Sequence, residues 1–189
     1  MPRTPKPDDG VTLGEERERL RDHWHRGTRC ACCGQNVKLY RRKLNVGMAL
    51  TLLSFWRTTS RLPAGHDGWL HAEDTFKDDP SLPSTARGDF PKLRWWRLIE
   101  RAEGQRPDGN PSTGYYRLTE RGRLFCQRRL HVRPAVYLYL DREYPAPDGA
   151  DQAPVSIVDA LGTRFDYMEV TRGIADPITE TRAAAGVAA

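Results

Sequence analysis

The chain has 189 residues, 38% of them hydrophobic and 29% charged, with a mean hydropathy of −0.70 and a net charge of +5. That length suits one domain with a small annex; no run approaches the roughly 18 apolar residues of a membrane span and residues 1–10 hold no apolar signal core, so a cytoplasmic location is expected. From Asp141 onward nine Asp or Glu stand against four Arg, leaving +10 on residues 1–140, which fits a polyanion binder as readily as a highly solvated surface.

Residues 1–12, rich in proline and charge, read as disordered. Leu13 to Arg26 reads as a short surface helix, supported by the Glu15–Arg19 pair and opposed by Glu18–Asp22. Arg29-Cys30-Ala31-Cys32-Cys33-Gly34-Gln35 follows. Thiols this close do not staple distant loops, and Cys30-x-x-Cys33-Gly34 has the shape of a zinc knuckle. Zinc wants four ligands, so His23, His25, Cys32 or the distant Cys126 would complete the set; the alternative is a knuckle without metal.

Val37 to Trp56 carries apolar residues near helical spacing (Leu39, Leu44, Met48, Leu52, Trp56) and is expected to be one long helix, with Arg41, Arg42 and Lys43 on its first half. A Pro63-Ala64-Gly65 breaker ends it. Trp69–His71 suits one short strand, and Asp74–Pro83 a helix that is short at most. Thr85 to Trp96 predicts a second helix, starting near Gly88 with Asp89 as its N-cap because Pro91 fits only a first turn. Leu98–Ala102 and Gly114–Leu118 predict an antiparallel strand pair joined by a mobile loop dense in turn residues, and Thr119 should cap a helix to Cys126. Val132–Leu140 alternates like a strand, and Pro134 makes it an edge strand or shortens it. Residues 141–154 read as a linker, Ser156–Val170 as one amphipathic helix within an annex of 155–172, and 173–189 as a disordered tail.

At Lys92-Leu93-Arg94-Trp95-Trp96-Arg97-Leu98-Ile99 and Tyr115-Tyr116-Arg117-Leu118-Thr119-Glu120-Arg121-Gly122, the sequence resembles winged-helix proteins. Their pattern is a recognition helix closing on a Gly-Leu-Ile-like turn, a β-hairpin wing, then Tyr-x-Leu-Thr-x-x-Gly. The resemblance covers about residues 37–127, and Arg97 stands where that family often has glycine. It implies an α+β fold, with the domain taken as 37–140 including the following strand. The activity it implies is binding of nucleic acid, double-stranded DNA first, by a regulator of transcription or accessory factor. Helix residues Arg87, Lys92, Arg94 and Arg97 would enter a groove, while Arg101 and Arg106 on the wing, with Arg41 and Arg42, would meet phosphates. The same fold also serves as a protein-docking module, the competing reading. Cys30-x-x-Cys33-Gly34-Gln35, Val37–Asn45 and the Ala160-Leu161-Gly162-x-x-Phe165-Asp166-Tyr167 stretch make the whole chain similar to small phage-encoded proteins of unassigned function, which implies a bacterial cytoplasm and supplies no biochemistry; in the docking reading the target would be a host or partner protein. The sequence leaves open whether the C-terminal helix docks onto the domain or pairs two copies of the chain. No phosphate loop, nucleophile elbow or paired-Asp motif stands in the sequence. An enzyme is not expected, and a small zinc-dependent one is the last of the three readings.

Overall fold

The computed structural model describes residues 10–104, 114–147 and 153–174. Residues 1–9 and 175–189 of the expected disordered ends, the loop carrying Arg106 and part of the expected linker lie outside the described residues. In chain order the elements are α1 (Leu13–His23), β1 (Thr28–Arg29), β2 (Asn36–Val37), β3 (Tyr40–Lys43), α2 (Val46–Thr59), β4 (Leu70–His71) and α3 (Ala72–Phe76). A 3₁₀ helix (Ser84–Trp96), β5 (Ile99–Arg101), β6 (Tyr115–Leu118), α4 (Glu120–Cys126), β7 (Ala135–Tyr139), β8 (Arg142–Tyr144), α5 (Ile157–Leu161), a 3₁₀ turn (Gly162–Arg164) and α6 (Tyr167–Val170) follow. The fold is mixed α+β with small antiparallel sheets. The chain falls into two compact units, one of Met1–Lys43 with Ala135–Asp151, the other of Leu44–Pro134 with Gln152–Ala189. The boundaries therefore differ from the single 37–140 domain expected.

In the first unit, Thr12 and Glu15 form a reciprocal capping box that starts α1. One turn on, the buried Glu16 carboxylate takes two hydrogen bonds from Arg19, at 2.7 and 2.8 Å, and one from the Ala31 N–H at 2.8 Å. This ties α1 to the turn of the β1–β2 hairpin, whose register pairs Thr28 with Val37. Trp24 meets Tyr139 and Tyr144 edge-on, with centroids 5.5 and 4.7 Å apart. The sheet runs β3-β7-β8.

Three expectations fail here for one physical reason. Residues 37–44 are not the first half of a helix, because Tyr40–Lys43 pairs with Leu138–Ala135 and α2 starts only where Asn45 caps the Met48 N–H at 2.9 Å. Arg142–Tyr144 is strand, not linker, since it pairs back onto β7. Of the two expectations for Pro134, the shortened strand is present, since β7 begins only at Ala135, while the sheet edge is not, because the second partner makes β7 the centre of its sheet. Strand pairing depends on residues far away in sequence, and local periodicity does not carry it.

The second unit is built around α2, in which every residue from Met48 to Trp56 is buried. A helix covered all round is the centre of a core, not a surface element. Phe55, Phe76 and Phe90 meet at its side with centroids 4.8 to 6.2 Å apart, and Tyr116 extends the cluster to Phe90 at 5.3 Å. The sheet order is β4-β6-β5, with Ile99 opposite Leu118 and Leu70 opposite Tyr116. The expected pairing of the two segments flanking the loop is present.

Two helices depart from expectation. Ser84–Trp96 is 3₁₀ throughout, with no N-cap at Asp89. Pro91 inside an α-helix would remove a hydrogen bond and clash one turn back. The apolar residues Phe90, Leu93 and Trp96 recur every three positions, and a helix of three residues per turn stacks all of them on one face; each is 2% exposed or less. Toward the C-terminus, the single helix 156–170 is instead α5, a 3₁₀ turn and α6. Gly162 breaks it at φ +65°, and Asp166 restarts it by capping the Glu169 N–H.

Candidate nucleic-acid interface

The 3₁₀ geometry resorts the basic residues. At three residues per turn, Arg87 falls in the row of Phe90, Leu93 and Trp96, while Arg94 falls in the row of Gly88, Pro91 and Arg97. Arg87 is accordingly half-buried; its guanidinium donates to the Lys77 carbonyl at 3.3 Å and its Nε is sealed without a partner. It closes the end of α3 and faces the core. Lys92 is ion-paired with Asp89 on the third row, and Asp89 also accepts from the Asn45 amide at 2.8 Å. The carboxylate expected to cap a helix therefore holds Lys92 and ties the 3₁₀ helix to α2.

Arg94 lies over the Trp95 ring at 4.7 Å, a cation–π contact that extends both groups along the surface. The neighbouring Trp96 is core, its indole N–H donating to the Arg133 carbonyl at 2.7 Å. Arg97 is exposed and holds a left-handed conformation, φ 57° and ψ 30°, at the helix exit. Its N–H and that of Leu98 bond back to Arg94 and Leu93 at 2.8 and 3.3 Å, closing the helix in a conformation more common for glycine. Arg101 is exposed at the end of β5. Arg94, Arg97 and Arg101 thus follow one another along the helix exit and into the strand that leads to the loop. Arg106 lies outside the described residues.

Arg41 and Arg42 belong to β3 in the other compact unit and not to a helix of this one.

Sequence reading missed three arginines that the fold uses structurally. Arg121 Nε donates to the Trp96 carbonyl at 3.1 Å and Arg133 to the Trp95 carbonyl at 2.8 Å, so two cations satisfy the carbonyls at the 3₁₀ C-terminus. Arg117 spans Glu100, at 2.6 Å across the β5–β6 pair, and the Trp69 ring, at 4.8 Å. Arg117 opposite Glu100 was readable from the strand register; the two carbonyl caps were not.

No protein-family model, curated protein or solved structure matches this chain.

The cysteine knuckle is a tight turn at the tip of the β1–β2 hairpin. Cys30 N–H donates to Gln35 O at 2.8 Å and Gly34 N–H to Cys30 O at 2.7 Å, with Gly34 at φ +69°. The N–H of Cys33, then that of Cys32 and the Cys33 thiol, face the Cys30 sulfur and lower its pKa; Cys32 shifts upward through desolvation. His23 Nδ1 is engaged by the Arg19 carbonyl at 2.9 Å, His25 is exposed, and Cys126 is buried in the second unit. Among the described residues no three His, Cys, Asp or Glu are grouped as a metal requires, so the zinc reading rests on the spacing of Cys30 and Cys33. Among the same residues no helix is long and apolar enough to cross a membrane.

Proposed function

We propose that residues 44–134 are a winged-helix domain that binds nucleic acid, duplex DNA first, through the outward row of the 3₁₀ helix and the β5–β6 hairpin. The order helix, strand, helix, 3₁₀ helix, strand, strand and the sheet order β4-β6-β5 support the fold. The single observation that carries the binding reading is the run Arg94, Arg97 and Arg101 at the helix exit and hairpin root, where a groove-bound helix and a backbone-bound wing would meet DNA. Lys92 contributes once its pairing to Asp89 opens. Arg94 would read a base edge; Arg97 and Arg101 would neutralise phosphates. A regulator or accessory factor in a bacterial or phage-infected cytoplasm is the setting this suits.

Titration of a fluorescent duplex at two salt concentrations tests the reading. Arg94→Ala should weaken binding by about 1–3 kcal/mol and relax preference at one base pair. Arg101→Ala should weaken all sequences alike and reduce the salt slope by about one unit. Absence of saturable binding at low salt would overturn it. The second reading, a module that docks onto a host or partner protein, draws on the internal neutralisation of Lys92 by Asp89 and Arg117 by Glu100; it gains if both variants bind duplex like the parent.

A further inference from the structure

A cavity of about 530 Å³ opens in the second unit between the C-terminal end of α2, the following loop, β6 and α4. It shares no residue with the Arg94–Arg101 surface. That volume is in the range of small-molecule sites. Leu62, Pro63 and Leu118 supply its apolar walls.

Two of its lining groups are nearly buried. Gln127 is 5% exposed and Trp56 is 4% exposed, both line the cavity, and neither the Gln127 amide nor the Trp56 indole N–H bonds to another described residue. Neither is among the polar atoms sealed from solvent, so each keeps solvent-accessible polar surface. Together they present three N–H donors and one carbonyl acceptor beside the apolar walls. That pattern pairs with the edge of a flat heterocycle carrying an adjacent donor and acceptor, as Gln does with a nucleobase.

The polar lining adds donors of positive charge. Arg117 gives one hydrogen bond to Glu100 at 2.6 Å and Arg123 is ion-paired with Glu120 at 3.3 Å, which leaves most of five guanidinium N–H groups uncommitted on each. His66 Nδ1 accepts from the Gly68 N–H at 2.9 Å, which places the proton on Nε2 and makes that side a donor. Asp67 also lines the cavity, and its carboxylate accepts the Trp69 N–H at 3.1 Å. Several donors beside a heterocycle-sized pocket suit an anion attached to a ring.

We infer that this cavity is a binding site for a nucleoside monophosphate, the base against Gln127 and Trp56 and the phosphate between Arg117 and Arg123. The inference stands independently of duplex binding, since the two use different residues. Calorimetric titration of the full chain with AMP, GMP, CMP and UMP is the test. At least one should bind saturably, and its nucleoside, lacking phosphate, should bind at least tenfold more weakly. Gln127→Leu, close in shape to the parent side chain, should lower affinity for that nucleotide tenfold or more while retaining the Tm, because the amide makes no hydrogen bond to another described residue. Arg123→Ala, at a half-exposed position, should erase the difference between nucleotide and nucleoside. The site is refuted if none of the four nucleotides binds saturably at millimolar concentration, or if a bound one is held equally well by Gln127→Leu and Arg123→Ala.

Discussion

Replacing Gly122 with alanine should destabilise the second unit, although alanine is the better helix former by about 1 kcal/mol. A Cβ built at this position meets the Leu98 carbonyl oxygen at 2.1 Å, Leu118 Cδ1 at 2.8 Å and the Leu98 carbonyl carbon at 3.0 Å. The obstacle is backbone, and it is held: Leu98 O accepts the Thr119 N–H at 3.1 Å and the Thr119 hydroxyl at 3.0 Å. The same hydroxyl caps α4 by accepting the Gly122 N–H at 2.9 Å. Alanine therefore forces α4 back by about 0.9 Å to reach even the shortest tolerable contact, an overpacking strain of about 1–3 kcal/mol. That retreat also pulls the cap apart, a further loss of about 1 kcal/mol. Net of the propensity gain, the variant should lose about 1–3 kcal/mol. Equilibrium urea unfolding followed by tryptophan fluorescence reads this as a lower midpoint at unchanged slope. Gly88→Ala is the control, because a Cβ there meets nothing within 4 Å. A Gly122→Ala midpoint equal to or above the parent's would refute the close-approach argument.

Arg97→Gly should raise stability by about 0.5–1 kcal/mol in the same urea assay, since the left-handed backbone costs arginine more than glycine; if Arg97 also meets phosphate, this more stable variant should bind duplex more weakly. The Arg19 guanidinium, followed by the Ala31 N–H, holds the Glu16 carboxyl down at about 2 against an ordinary value of about 4.5. Stability from this group is fully present above pH 4.5 and lost as the pH falls through the folded value, so unfolding scans from pH 6 to pH 2 should show a decline that Glu16→Gln lacks. Cys126 is fully buried, and burial pushes its thiol far up, whereas Cys30 is shifted down by the Cys33 N–H. Pulse alkylation of the native chain with peptide mapping should label Cys30 at lower pH than Cys32 and leave Cys126 unmodified until urea unfolds the protein; early labelling of Cys126 would show that its burial is wrong.

What the sequence disclosed was the part encoded by neighbours. Tyr116-x-Leu118-Thr119-x-x-Gly122 was legible because each role is local: alternate strand residues turned inward, a cap three residues before its N–H, and a glycine one turn into a helix. The three-residue spacing of Phe90, Leu93 and Trp96, with Pro91 among them, already described a 3₁₀ helix; treating it as a 3.6-residue helix placed Arg87 outward when it turns inward. Asn45, with Met48 three residues on, was an equally visible helix start, but the apolar series from Val37 to Trp56 ran across it and hid the strand before it. The rest was never local. Arg121 and Arg133 reach carbonyls some 25 and 38 residues away, and Gln127 gains its burial only when α4 packs.

The alternation of the two units along the chain sets an order of events during synthesis. Tyr40 pairs with Leu138 and Lys43 with Ala135, so β3 leaves the ribosome long before its partner exists. Closing a flexible loop of some 90 residues to make that ladder would cost about 4 kcal/mol in entropy. The intervening stretch removes most of that cost if it folds first, because its two ends, Leu44 and Pro134, are then joined by a hydrogen bond of 2.8 Å. A nascent chain halted before residue 135 would carry β3 as a bare strand edge, open to pairing with any other extended segment.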